Sequence, residues 1–137
     1  MVTLLAHIKI KPDQARRYEE LQRQMVATTK DEEGCLRYEF WRGEAPNSYY
    51  GLLSFTDSTA FYQHQASPHH DGFTGDFVEC CEGLRLEFLD PLEGGGSGLS
   101  PTIALPLPAD ADAATRGMAE RFAVAPAVWW AALRPVT

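Results

Sequence analysis

From Val2 to Ile10 the sequence VTLLAHIKI alternates, with Val2, Leu4, Ala6, Ile8 and Ile10 on one side and Thr3, Leu5, His7 and Lys9 on the other. Successive strand side chains point to opposite faces, so this is a strand with one fully apolar side that another layer must cover. The period changes after Lys11. Pro12 suits a first helical turn, Asp13 complements the helix dipole there, and Ala15, Tyr18, Leu21, Met25 and Val26 recur at helical spacing until Gly34. The opposite face of that helix, with Arg16, Arg17, Glu20, Gln24 and Lys30, reads as solvated surface.

Two further alternating runs follow, Cys35 to Arg42 and Tyr49 to Phe55, joined by GEAPNS and therefore a hairpin. Asp57 or Ser58 caps the next helix, and Ser67-Pro68 ends it because a residue before proline avoids helical geometry. Asp71 to Cys81 reads as a further helix, with Phe73 and Phe77 on one side and Gly72 and Gly75 weakening it. A fourth strand runs from Leu84 to Leu89. The order β-α-β-β-α-(α)-β predicts an α+β fold, a ferredoxin-like split β-α-β unit with a four-stranded antiparallel sheet and helices on one face. The other face carries Thr3, Leu5, His7, Arg37, Trp41 and Leu89, too apolar for water and too polar for a dry core. A second copy of the sheet is its natural cover, which predicts a homodimer closed as a dimeric α+β barrel with His7 lining its interior.

Residues 1–92 make that domain, and 93–137 a Gly-rich linker and C-terminal extension. GGGSG at Gly94 to Gly98 is flexible, Asp110 or Asp112 starts a helix to about Ala123, and PAVWWAALRP is apolar enough to need a docking surface. Packing on the barrel or the partner subunit is the simpler expectation, and a lid over a substrate pocket the other.

A formal charge of −7 with no basic run argues against a nucleic-acid partner. No apolar run approaches membrane-spanning length and no signal peptide is visible. Cys35, Cys80 and Cys81, odd in number and two of them adjacent, make a poor disulfide framework and suit a reducing compartment. The expectation is a soluble cytoplasmic protein.

The chemistry concentrates between Phe55 and His70, FTDSTAFYQHQASPHH, which holds three of the four histidines. Phe61 and His64 are three apart and share a helix face. A histidine beside an aromatic on a buried face is either a proton-transfer group or a core residue satisfied by one hydrogen bond. Clustering of His64, His69 and His70 favours the first. The same three imidazoles could serve zinc or iron, but Ser67-Pro68 forces a turn and no carboxylate sits at ligand spacing, so no metal is expected.

VTLLAHIKIKPDQ, then EEGCLRYEF, then a strand leading into AFYQHQASPHH, resembles the antibiotic biosynthesis monooxygenase family over Met1 to about Pro91. The resemblance implies dimeric α+β barrels and cofactor-independent oxygenases of quinols, anthrones and related polyphenols. It also spans a haem-degrading branch and a sugar-phosphate isomerase. The family's helix histidine, Ser or Thr, Pro and second histidine correspond to His64, Ser67, Pro68 and His69, with His70 extra. The haem-degrading Asn, Trp and His fall at Ala6, His64 and near Thr74, and none is kept. Where relatives carry a glutamate and an aromatic on the third strand, this chain has Leu53 and Phe55, which leaves proton chemistry to histidine.

The function this implies is a cofactor-independent monooxygenase joining O2 to a small aromatic substrate. His64 is the candidate base. His69, and then His70, are candidates to orient it or to meet an oxyanion, and Phe55, Phe61, Phe73 and Tyr38 are candidate aromatic walls. Tyr38 reads equally as an ordinary strand residue. The alternatives are a noncatalytic small-molecule binder or stress-associated dimer of the same fold, and a sugar-phosphate isomerase. The isomerase is disfavoured because Phe55 to Glu79 contains no Lys or Arg.

Overall fold

The structure, a computed structural model, describes residues 1–135, so the last two residues of the predicted extension lie outside the described residues. Strands β1 (Val2–Ile10), β2 (Cys35–Arg42), β3 (Ser48–Phe55) and β4 (Cys81–Leu89) form one antiparallel sheet in the order β2-β3-β1-β4. Helices α1 (Ala15–Thr29), α2 (Ser58–Ala66) and α3 (Pro68–Cys80) complete the predicted α+β arrangement. The apolar side of β1 is the core: Val2, Leu4, Ala6, Ile8 and Ile10 are buried with Tyr18, Leu53, Phe55 and Phe61. Each fully buried large apolar side chain contributes roughly 1.5–3 kcal/mol, so this strand anchors the domain.

Three boundaries differ from the sequence reading. Pro12 and Asp13 lie before α1, not in it: Asp13 has a left-handed φ of 66°, which aspartate tolerates, and Gln14 donates its N–H to the Lys11 carbonyl to close a turn. Pro68 opens α3 instead of only ending α2, because the first helical position needs no N–H and Ser67 caps it by accepting from the His70 N–H. His69 and His70 therefore sit in the first turn of α3. Strand β4 begins at Cys81, directly after α3, with its irregular register confined to Lys9/Ile10.

The buried stripe of α1 is Tyr18, Gln22, Met25 and Thr29. It is helical in spacing yet half polar. The helix ends at Thr29, and Glu32 and Gly34 form the turn into β2, held by the Cys35 N–H donating to the Glu32 carbonyl and the Thr56 N–H to the Gly34 carbonyl. Gly34 lies so close to α2 that a Cβ there would stand 2.5 Å from Ala60 Cβ.

Beyond β4 the chain turns through Gly94, Gly96 and Gly98, all at positive φ, and returns to the sheet. Thr102 is the clasp: its hydroxyl accepts from the Thr3 N–H and donates to the Leu89 carbonyl. Asp90 accepts from the Thr102 N–H and from Nε and Nη2 of the Arg134 guanidinium. Asp112 caps α4 (Ala113–Arg121) by accepting from the Thr115 N–H, and α4 packs on α2 of the same chain. A short α5 (Val128–Ala131) follows. No helix of the described residues is long and apolar enough to cross a membrane.

Candidate active site

A cavity of about 240 Å³ lies between the sheet and the helices. Leu4, Ala6, Ile8 and Leu53 form its floor, Tyr38, Phe40, Phe61, Phe73 and Phe77 its aromatic walls, and Gln22, His64, Gln65, His70, Asp71 and Thr74 bring polar groups to it. Its outer wall includes Met118, Arg121 and Phe122 from the C-terminal extension, so that segment both docks on the domain and borders the cavity. The Arg121 guanidinium stacks 5.2 Å above the Phe122 ring and supplies a cation that the stretch around the histidines lacks.

His64 is 2% exposed, delivered by one turn of α2 after Phe61. Its ring lies edge-on to Tyr38 at 5.1 Å and to His70 at 4.9 Å, with Phe55 behind it at 5.3 Å. Both Glu32 carboxylate oxygens stand 3.1 Å from His64 Nδ1, whose N–H donates to them. That bond selects the tautomer with the lone pair on Nε2. No hydrogen bond to Nε2 is found among the described residues, and the His64 ring lines the cavity whereas Glu32 does not. Burial holds the His64 imidazole down at about 3, with His69 adding to the effect, so the ring is neutral at rest.

His69 does not line the cavity. Its Nε2–H donates to Glu32 at 2.5 Å, and Ser67 Oγ lies 3.3 Å from the same nitrogen. His69 thus steadies the carboxylate that steadies His64. Burial pushes the Glu32 carboxyl above its usual range and His69 opposes that shift. His70 reaches the cavity wall, and burial holds its imidazole down at about 4, assisted by His64 and His69.

Of the residues picked out from sequence, Tyr38, Phe61, Phe73, His64 and His70 meet around the cavity, whereas Phe55 backs His64 and His69 stands behind it. No carboxylate sits at ligand spacing in the sequence, yet Glu32 reaches both His64 and His69 from the α1–β2 turn. Gln22 was also missed. It is buried, its Nε2 has no partner among the described residues, and it lines the cavity. The signal was present in the helical stripe, where Gln22 falls one turn after Tyr18. Burial raises the Tyr38 hydroxyl well above the usual phenol range.

Residues 1–75 match the sequence profile of a family described as antibiotic biosynthesis monooxygenase. The fold is shared with PA3566 of Pseudomonas aeruginosa, 26% identical with a TM-score of 0.63 over 66% of this chain and 93% of that one. Rv0793 of Mycobacterium tuberculosis is 22% identical, TM-score 0.62, over 66% and 94%. A structure named antibiotic biosynthesis monooxygenase is 21% identical, TM-score 0.63, over 67% and 99%. No curated protein matches the sequence.

Proposed function

The chain belongs to the antibiotic biosynthesis monooxygenase family, and from that premise we propose that it is a cofactor-independent monooxygenase of a small quinol-type aromatic. The observation that carries this reading is the Glu32–His64 pair: a buried imidazole with a carboxylate on Nδ1 and a free Nε2 at an apolar cavity.

His64 Nε2 takes the phenolic proton, and Glu32 stabilises the imidazolium as it forms. The charge left on the substrate spreads into the ring, and the Gln22 amide N–H₂ or His70 meets the phenolate oxygen. The electron-rich ring carbon then reduces O2 directly. A C–O bond forms, the distal peroxide oxygen takes back the proton held by His64 to give a hydroperoxide, and that carbon loses its hydrogen together with the departing hydroxide as water, which leaves a carbonyl. No bound redox group is required, and water exclusion by Phe61, Phe73 and Phe122 protects the anion. At about 240 Å³ the cavity is smaller than the roughly 300–1,000 Å³ of drug-sized pockets, which favours one- or two-ring quinols over a three-ring anthrone. The working unit is a homodimer joined through the open sheet face, and free thiols at Cys35, Cys80 and Cys81 suit the cytoplasm.

Oxygen uptake with hydroquinone, a naphthoquinol and an anthrone, in chelator-treated buffer, tests the reading. Turnover of the smaller quinols that disappears in His64→Ala and persists in His7→Ala supports it. Tight binding of the same compounds without uptake would replace the enzyme with a binding protein of this fold.

A further inference from the structure

Glu32, His64 and His69 bring a carboxylate oxygen and two imidazole nitrogens within 4.8 Å of one another. We propose that these three side chains form a binding site for a first-row divalent cation of the Zn2+ class, and that its occupancy takes the His64 base out of action.

Two imidazoles and one carboxylate are a donor set that suits zinc and its neighbours, and they leave a fourth position for water. Ligand atoms around a tetrahedral ion at ordinary bond lengths stand about 3.3 Å apart. His64 Nδ1 is 3.1 Å from either Glu32 oxygen and His69 Nε2 is 2.5 Å from Oε1, so the donors already converge from three separate elements. The protons now shared among them are those a cation would displace. Ser67 Oγ, 3.3 Å from His69 Nε2 and itself donating to the His64 carbonyl at 2.7 Å, ties the two histidine-bearing helices together behind the site.

Access comes from the side away from the cavity. The side chains of Glu32 and His69 are 22% and 25% exposed while that of His64 is 1% exposed, so an ion enters from solvent without crossing the substrate chamber. Binding at Nδ1 requires the lone pair there and moves the proton to Nε2. The nitrogen facing the cavity then becomes a donor and can no longer accept a proton. The inhibitory half of this inference rests on the proposed base role of His64; the binding half does not.

Chelator-treated full-length protein is titrated with Co2+, read by its visible d–d absorption, and with Zn2+ by calorimetry. One ion per chain is expected, weakened about tenfold or more in both Glu32→Gln and His69→Ala and unchanged in His7→Ala, which probes the separate His7–Glu87 pair on the sheet face. Glu32 and His69 are partly exposed, and a thermal melt of each variant confirms folding. No binding, or binding unaltered by both substitutions, overturns the site. Where quinol oxidation is observed, Zn2+ should suppress it with the midpoint of binding; binding without suppression overturns the inhibitory half alone. A protein with no oxygen uptake but with the Co2+ spectrum retains the site and loses only the monooxygenase reading.

Discussion

Glu32 and His64 are 32 residues apart in the chain, yet both Glu32 oxygens stand 3.1 Å from His64 Nδ1. The pair divides labour between a partly solvated carboxylate and a buried ring. Replacing Glu32 with Gln keeps the size and removes the charge that stabilises the developing imidazolium. Turnover of a quinol should fall about 10- to 100-fold with little change in KM. Steady-state oxygen uptake checks this, and an unchanged kcat would show that His64 acts without its partner.

The Glu32–His64 contact depends on Gly34. A Cβ at that position would meet Ala60 Cβ at 2.5 Å and Thr56 Oγ1 at 3.3 Å, and Ala60 is anchored in α2. Gly34→Ala must therefore push the turn away from the helix that carries His64. A loss of about 1–3 kcal/mol is expected from overpacking, with a fall in turnover as Glu32 withdraws. Gly75→Ala is the control: nothing lies within 4 Å of its Cβ position inside α3, so it should gain about 0.5–1 kcal/mol. Urea midpoints of the two variants should move in opposite directions.

The contrast between Gly34 and the strands shows what periodicity can and cannot carry. β1 through β4 and α1 through α3 were readable because burial on one face writes a repeat of two or of three to four into the sequence. Ser67, read only as the end of one helix, also caps the next, whereas the cap at Asp57 was readable because it acts within four residues. Glu32 was not, because it sits in the aperiodic run DEEG beside Asp31 and Glu33, and only the packing of that turn on α2 chooses among three carboxylates. Met118 and Phe122 are four apart and share a helical face in the sequence, but their place on the cavity wall depends on where the chain returns after the glycine turn, set by Thr102 and Asp90.

That return is held at the other end by Tyr62, whose hydroxyl oxygen accepts from the buried Val124 N–H at 2.8 Å. Tyr62→Phe leaves the N–H without a partner at a cost of about 1–3 kcal/mol. The loss should be local. Hydrogen exchange of Val124 and of α4 should quicken while β1 stays protected, and the substrate KM should rise as Met118 and Phe122 loosen. Uniform exchange across the chain would mean that the extension and the sheet unfold as one unit.

Acid stability has an identifiable source in Glu19. The Arg42 guanidinium grips it with bonds of 2.7 and 2.8 Å and the Tyr49 hydroxyl donates at 2.9 Å. Arg42 first, and Tyr49 after it, hold this carboxyl down at about 2, against a smaller upward push from burial. A carboxyl whose folded pKa lies below its unfolded value, about 4.3, stabilises the fold fully above that value and loses the contribution as pH falls toward 2. Glu19→Gln should lower the urea midpoint at pH 7 and flatten its decline below pH 4.5. Asp90 and Asp112 are shifted the same way by Arg134 and by the Thr115 N–H, so the slope shrinks without vanishing.

The open sheet face is the surface on which a second copy is proposed to dock. Trp41 pairs with Tyr50 across β2 and β3, and they are 60% and 41% exposed, next to the partly covered Leu5, His7 and Leu52. Aromatic side chains at the centre of an interface commonly carry its affinity, and a carboxylate there is desolvated without a partner. The parent chain should sediment as the proposed dimer and Trp41→Asp as a monomer, in sedimentation equilibrium at micromolar concentration. The cavity lies on the opposite side of the sheet, so the monomer should keep the secondary structure of the parent by far-ultraviolet circular dichroism. A variant that remains dimeric would move the interface elsewhere, with the exposed Val128, Trp129 and Leu133 of the extension as the next apolar surface to substitute.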